Sequence, residues 1–306
     1  MQRHLLFLLI PMVSGWALVP GLSPPIRMIA VALTMFVFIK THLLVIHFWN
    51  GNTPEVWLQE SLLWFFAWPG LNTREFFDDG AKQGGQTNEL PTNRGWPKQM
   101  ALAICKTAFG LLLLVVVAPR LIATSALLGG WVGMVGIVFT FHFGIFHLSA
   151  VWWQLMGRPV EPIMNAPLLA TTISEFWSKR WNLAFRDYAH LTIFKPVAKR
   201  LGGSAAIAAG FLFSGVVHDL AISLPAGGGY GWPTLYFIIQ GVSLLMERKL
   251  KKSGVTFDGR IFGHVWTLFW VAGPAFILFH QPFVLRVIVP IVKFMGTLGG
   301  HSSIVG

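Results

Sequence analysis

Charged residues are scarce in this chain, and their scarcity argues against a soluble fold. Only 11% of the 306 residues are Asp, Glu, Lys or Arg, whereas 54% are hydrophobic and the mean hydropathy is +0.62. A soluble domain carries about 25% charged residues. Apolar runs of about 20 residues, the length of a membrane-crossing helix, recur along the chain. The composition predicts an all-α polytopic membrane protein.

Acidic residues and cysteine are also few. The chain has 12 Asp and Glu against 23 Lys and Arg, a formal net charge of +11. The basic residues lie in short connections between apolar runs, which argues against a nucleic-acid partner and favours contact with lipid headgroups. Cys105 is the single cysteine, so the chain has neither an internal disulfide nor a redox motif.

Several catalytic signatures are missing. The sequence contains no GxSxG nucleophile elbow and no HExxH zinc motif. The Pro225–Gly231 stretch, PAGGGYG, lacks the Lys-Ser/Thr ending of a phosphate-binding loop. His142 and His147 lie five residues apart without a nearby cysteine or carboxylate, so we predict no metal site. No internal repeat is visible, which weakens the case for an inverted-repeat transporter.

The apolar runs predict one domain, residues 1–306, built as a compact bundle of about eight transmembrane helices. The first run resembles a signal peptide but is interpreted as a retained span, because another apolar span follows at once. Trp57–Trp68 is too short to cross and is predicted to be re-entrant or interfacial. The candidate spans are Leu5–Val19, Met28–Phe48, Gln99–Ala118, Leu127–Trp153, Ser204–Leu224, Pro233–Glu247, Phe262–Phe279 and Pro282–Leu298.

The distribution of basic residues predicts the orientation. Lys and Arg cluster before Ser204–Leu224 and after Pro233–Glu247, whereas the turn Pro225–Trp232 between these spans carries no charge. The positive-inside rule then places both basic segments in the cytosol, at a bacterial inner membrane or the endoplasmic reticulum. The Leu71–Lys98 connection is predicted to be an exposed loop. At its start, WPGLNTREFF (residues 68–77) is interpreted as an interfacial anchor, with Trp68 and two phenylalanines at headgroup level.

His218 is the strongest candidate for chemistry. It lies with Asp219 inside the apolar stretch Phe211–Tyr230, where ionisable residues are costly and often functional. A neutral imidazole can accept a hydroxyl proton and return it to a leaving group. A structural histidine bonded across helices is an equally good reading of its position. Asp219 need not orient His218, because adjacent helical side chains point about 100° apart.

A second stretch combines aromatic rings with cations. Ser174–His190, SEFWSKRWNLAFRDYAH, is predicted to be a helix near the cytosolic interface, capped by Ser174 with Glu175 near its positive end. Membrane anchoring explains its Trp and Arg residues. It does not explain the amide of Asn182.

Together these stretches resemble the membrane-bound O-acyltransferase superfamily. FWSKRWN is similar to its F-Y-x-D-W-W-N-like motif, and SGVVHDL to its S-x-x-x-H-E/D context. With WPGLNTREFF and the sequence from HDLAISL onward, the pattern looks like the wax-synthase-like branch over about residues 68–247. Lys179 and Arg180 replace the acidic and aromatic letters of the animal-type motif, so substrate cannot be inferred from that branch.

The resemblance implies the site. It places the catalytic histidine on His218 and the asparagine, which positions the donor or binds the oxyanion, on Asn182. It implies acyl transfer from acyl-CoA, a co-substrate rather than a cofactor, to a lipophilic alcohol. A proton-coupled transporter and a non-catalytic lipid- or acyl-CoA-binding protein remain open alternatives. The predicted substrate-binding residues are Phe176, Trp177, Lys179, Arg180, Trp181, Arg186, Ser214, Asp219 and Tyr230.

Overall fold

The structure is a computed structural model that describes residues 21–49, 57–77, 95–255 and 260–299. Helices and short connections account for these residues, and no β-strand occurs among them. The predicted all-α class is confirmed.

The first half of the described chain contains five helices, and the last two of these are the longest. Both of these contain a π-helical turn, at Leu112–Val117 and Phe139–Ile145. The helices are α1 Pro24–Trp49, α2 Trp57–Ala67, α3 Thr73–Phe77, α4 Trp96–Ile122 and α5 Ala126–Leu155.

The second half contains the elements that form the site. A π-helical turn, His190–Phe194, precedes the longest helix of this half, and another, Asp219–Ser223, follows it. The helices are α6 Ile173–Glu175, α7 Leu183–Ala189, α8 Lys195–His218, α9 Trp232–Lys252, α10 Arg260–Ala272, α11 Ala275–Leu278 and α12 Gln281–Leu298.

Six helical stretches in the described part of the chain are long and apolar enough to cross a membrane. They match six of the eight predicted spans, and the protein is an integral, multi-pass membrane protein. Leu5–Val19 lies outside the described residues. Pro233–Glu247 lies within α9, which is long enough but too polar to be counted among the six. The count of eight stays a prediction.

The predicted interfacial anchor is wrong in its placement. Trp68 is 2% exposed and Phe76 is fully buried, within an aromatic cluster that also contains Trp64, Trp153 and Tyr188. These rings pack inside the protein because α2, of 11 residues, is too short to cross the bilayer and folds against its neighbours. Of the predicted exposed loop, residues 78–94 lie outside the described residues.

Two helices frame the functional region. Helix α8 is interrupted at Gly202, whose positive φ of 81° and ψ of 172° are not helical. Only glycine adopts this conformation without strain. A continuous helix therefore runs from Gly203 to His218, about 22 Å at 1.5 Å per residue. Helix α9 packs along it more extensively than any other element.

Candidate functional site

A cavity of about 420 Å³ lies between α8, α9 and the chain from α6 to α7. Its wall is largely aromatic and aliphatic, with polar groups at separate points. Six of the residues predicted from sequence line it: Trp177, Trp181, Asn182, Arg186, Ser214 and His218.

The two long walls run antiparallel. A Cβ atom added to Gly215 would lie 2.7 Å from the Cα of Thr234, and one added to Gly241 would lie 3.3 Å from Phe211. Later residues of α9 therefore lie beside earlier residues of α8. Arg248, which also lines the cavity, consequently lies at the end of the groove away from the C-terminus of α8.

The third wall is the chain from α6 to α7, and the prediction of one helix over Ser174–His190 is wrong there. Thr172, rather than Ser174, caps α6 by accepting a hydrogen bond from the backbone N–H of Glu175 at 3.0 Å. A π-helical turn follows, and the helix then breaks, because Trp181 is extended and Asn182 has a positive φ of 41°. The break places the Asn182 side chain at the N-terminus of a new helix, α7.

Ion pairs and backbone bonds hold this break in place. Arg180 donates Nε to Glu175 at 2.8 Å and Nη1 to the carbonyl oxygens of Asn165 and Ala166. Burial disfavours ionised Glu175, but hydrogen bonds from Thr171 and the Arg180 charge outweigh it, so the pKa of Glu175 lies below its ordinary value. The hydrogen bonds of the Arg180 guanidinium thus stabilise the turn rather than face the cavity.

A buried carboxylate fastens the same segment to α9. Glu247 is fully buried and accepts hydrogen bonds from the backbone N–H groups of Ile173, at 2.7 Å, and Ser174, at 3.3 Å. A negative charge at a helix N-terminus is favourable because it meets the positive end of the helix dipole and unpaired N–H groups. This contact fixes the aromatic segment against α9.

Asn182 has one engaged and one available polar group. Its Oδ1 accepts the backbone N–H of Phe185 at 3.2 Å, which caps α7. Since the oxygen must face that donor, the Nδ2 amide points the other way. In the described part of the chain we find no hydrogen-bond partner for Nδ2, and the residue lines the cavity.

His218 is held in one tautomer. Its Nδ1 lies 2.7 Å from the carbonyl oxygen of Ser214, and a carbonyl can only accept, so Nδ1 carries the proton. Neutral Nε2 is then an acceptor, with no partner found among the described residues. The ring packs 4.4 Å from that of Phe237 and edge-on to that of Phe185 at 6.4 Å, which fixes its orientation.

The remaining predicted site residues lie outside the cavity lining. Phe176 is buried and stacks on Trp181, with ring centroids 5.5 Å apart, so it supports the wall from behind. Lys179 is exposed, and Tyr230 is 62% exposed beyond the C-terminal end of α8. Arg186, which does line the cavity, donates to the Ser178 carbonyl and pairs with Asp187.

Asp219 belongs to a second polar cluster, separate from the cavity. One carboxylate oxygen accepts Gly231 N–H at 2.8 Å and Ser223 Oγ at 2.9 Å; the other accepts the backbone N–H and the hydroxyl of Thr234. Asp219 thereby caps α9 and joins its start to the end of α8. Ser223 also lies 3.1 Å from His280 Nε2.

The turn around this cluster requires glycine at one point. Gly229 has a positive φ of 75°, and a Cβ atom there would overlap the His280 ring at 2.4 Å. The run PAGGGYG thus permits close approach of backbone to side chain, as its composition predicts. Arg286 closes the other side by donating to the carbonyl oxygens of Ala226 and Gly227.

Sequence reasoning missed several residues that line the cavity. Phe185 and Phe237 flank His218, and Arg248 contributes a cation. The sequence places Arg248 in a basic segment but gives no sign that it faces the groove. No sequence signal marks Phe237, because its contact with His218 depends on the antiparallel register of α8 and α9.

The site lies in the part of the chain that is similar to known proteins. Residues 160–239, which include the break at Asn182, all of α8 and the start of α9, match the Membrane bound O-acyl transferase family. The chain is 33% identical over 114 residues to the probable long-chain-alcohol O-fatty-acyltransferase 2 of Arabidopsis thaliana, covering 34% of this chain and 33% of that protein.

Two further relatives extend the comparison. The long-chain-alcohol O-fatty-acyltransferase of Simmondsia chinensis is 28% identical over 135 residues, 39% of this chain and 38% of its own. The acyl-CoA–sterol O-acyltransferase 1 of Arabidopsis thaliana is 28% identical over 137 residues, 40% and 39%. The chain therefore spans between a third and two fifths of the length of these relatives. The segment that contains Asn182 and His218 is thus similar to the Membrane bound O-acyl transferase family and to relatives named as long-chain-alcohol and sterol O-acyltransferases.

Proposed function

We propose that the protein transfers a fatty acyl group from acyl-CoA to the hydroxyl of a lipophilic alcohol. The observation that carries the proposal is the tautomer of His218: Nδ1–H is bound to a backbone carbonyl, and Nε2 is left as a base inside a largely apolar cavity. Relatives named as long-chain-alcohol and sterol acyltransferases support an alcohol as the acceptor. The proposal needs no cofactor and no metal.

The reaction begins with the alcohol beside His218. Nε2 takes the hydroxyl proton while the oxygen attacks the thioester carbonyl, forming the new carbon–oxygen bond. The carbon–sulfur bond then breaks, and the leaving CoA sulfur receives the proton from the imidazolium. The Ser214 carbonyl stabilises that imidazolium through the Nδ1–H bond.

Asn182 stabilises the tetrahedral intermediate by hydrogen bonding. Its Oδ1 is occupied by the cap of α7, so the Nδ2 hydrogens are available for the developing oxyanion. A donor fixed before the reaction stabilises such a charge without reorganisation. The cap and the positive φ of Asn182 hold the amide in position.

The polar head of acyl-CoA is assigned to cations of the groove. Arg186 and Arg248 line the cavity, and guanidinium groups bind phosphates well. In this proposal the basic ends of α8 and α9 face the cytosol, from which CoA enters. Lys179, exposed nearby in sequence, is a further phosphate contact, whereas Arg180 acts through the turn that it holds.

The test is a turnover assay on the purified full chain in nanodiscs. Labelled palmitoyl-CoA is supplied with a panel of long-chain alcohols and sterols, and CoA release and ester formation are read together. We expect an ester product from the wild type and none from His218→Ala. Correct folding of the variant is checked by its elution profile and thermal unfolding.

Three results would contradict the proposal. Ester formation that survives in folded His218→Ala would remove the base from the mechanism. Acyl-CoA binding without any turnover by the wild type would favour the non-catalytic binding protein. Flux of a substrate or of protons across proteoliposomes, without covalent product, would favour the transporter.

A further inference from the structure

Gly210 occupies an unusual place in the groove. It lies on the cavity wall between the two ends of α8, and a Cβ atom added there would meet no atom of the described residues within 4 Å. Two other glycines of these helices are needed for close packing, since a Cβ on Gly215 would lie 2.7 Å from Thr234 and one on Gly241 3.3 Å from Phe211. Helix packing therefore does not explain a glycine at position 210.

We propose that Gly210 is a specificity-determining residue that gives clearance to the broadest part of the acyl donor's arm, the dimethyl-bearing carbon of pantetheine. The inference rests on the proposed function, because it takes acyl-CoA as the donor. A side chain at this position would project into the cavity and narrow the passage for that carbon.

The distances agree with this placement. Gly210 is eight residues from His218, about 12 Å along the helix. In an extended pantetheine arm the dimethyl-bearing carbon is also about 12 Å from the thioester sulfur, at about 3.5 Å for every three chain bonds. The first phosphate follows at about 15 Å on the same scale. On α9, Arg248 lies about 16 Å along the helix from Phe237, the ring that contacts His218. This distance is close to that of the first phosphate from the sulfur.

The chemistry around Gly210 suits a branched hydrocarbon. Ile207, Phe211 and Leu244 line the same part of the cavity. Two polar groups of the cavity wall are already used, because Ser214 Oγ donates to the Gly210 carbonyl and Trp177 Nε1 donates to Gln240. A quaternary carbon with two methyl groups can pack there without leaving a polar group unpaired.

The test is a series at Gly210 assayed with two donors. Wild type, Gly210→Ala, Gly210→Val and Gly210→Leu receive palmitoyl-CoA or palmitoyl-N-acetylcysteamine, whose arm ends about 6 Å from the sulfur and short of position 210. We expect kcat/KM for the CoA donor to fall progressively, by about tenfold or more for leucine and mainly through KM. Turnover of the truncated donor should stay within about twofold of wild type.

Gly203→Leu is the matched control: Gly203 lies on the same helix and outside the cavity lining, and a Cβ added there would likewise meet nothing within 4 Å in the described part of the chain. It should leave both donors unaffected. Equal losses with both donors in Gly210→Leu, or no loss with CoA, would overturn the inference. Binding of unacylated CoA is measured in parallel. Weakened binding in Gly210→Leu supports the clearance role even if no ester forms. The absence of ester would refute only the proposed reaction.

Discussion

Two polar regions meet at the end of α8, and they differ in what their groups are free to do. On one side His218 lines the cavity with Nε2 available, and Asn182 lines the same cavity with its Nδ2 amide available. On the other side Asp219, one residue later, has both carboxylate oxygens occupied by donors from α9 and its preceding turn. Adjacent residues therefore serve different purposes.

The difference shows how the chain keeps polar groups in an apolar protein. A polar group that is fully paired adds to stability, because leaving it unpaired in a buried site costs free energy. A group left with an unused donor or acceptor is suited to a ligand. This distinction assigns chemistry to the cavity side and structural support to the side of Asp219, and each prediction below tests that assignment.

The largest effect is expected from His218→Gln. Glutamine can donate to the Ser214 carbonyl as His218 does, so the fold should hold, but it cannot accept and release a proton. We expect kcat to fall by about 10²–10⁴ with an unchanged thermal unfolding midpoint. Steady-state kinetics with palmitoyl-CoA and differential scanning fluorimetry measure the two quantities. Full activity in this variant would make His218 a structural residue.

Asn182→Asp should be the next most damaging change for catalysis. Aspartate keeps the acceptor that caps α7 and tolerates the positive φ, but it lacks N–H donors and adds a negative charge near the oxyanion. We expect kcat to fall by about 10²–10³ with little change in unfolding. Asn182→Gly is the control for the backbone, since glycine keeps the positive φ and loses the cap. An active aspartate variant would restrict Asn182 to its capping role.

Asp219→Ala should have the opposite effect, lowering stability more than kcat. It leaves donors of Gly231 and Thr234 without their acceptor at the start of α9, at a cost of about 1–3 kcal/mol in unfolding free energy. We expect a lower unfolding midpoint, while the folded fraction assayed at low temperature loses less than about tenfold in kcat. Asp219→Asn should lie between, because its amide retains one acceptor. A normal midpoint with kcat as low as in His218→Gln would move Asp219 into the reaction.

Sequence alone indicated much of this arrangement but not its register. The apolar runs predicted six membrane-crossing stretches correctly, because length and hydropathy are local properties. The quoted motifs indicated His218 and Asn182. Sequence did not reveal the break at Trp181–Asn182, because aromatic and basic residues at these positions are also compatible with a helix, and the break depends on long-range bonds such as Arg180 to Asn165.

The same limitation explains the misplaced anchor and the unexpected role of Arg180. Trp68 is of a residue type that is common at membrane interfaces, yet it is buried against α5, which lies far away in sequence. Arg180 reads as a free cation until the structure brings Glu175 and the Asn165 and Ala166 carbonyls to it. Such contacts are set by tertiary packing, so a residue's type does not reveal whether its charge is available to a ligand.

The smallest effect, and the finest test of the comparison, is expected from Ser223→Ala. Ser223 is fully buried and links Asp219 to His280, whose Nδ1 accepts the Phe283 N–H, so His280 Nε2–H must donate to the serine oxygen. Alanine leaves that donor unpaired, and we expect a loss of about 0.5–1.5 kcal/mol in unfolding free energy with kcat unchanged. Ser243→Ala is the matched control: Ser243 is equally buried, but its hydroxyl donates to Ile239 of its own helix and bonds to no other element in the described part of the chain. Equal unfolding midpoints for the two alanine variants would show that the Asp219 side contributes no cross-element stability, and the separation between a structural side and a chemical side of α8 would have to be abandoned.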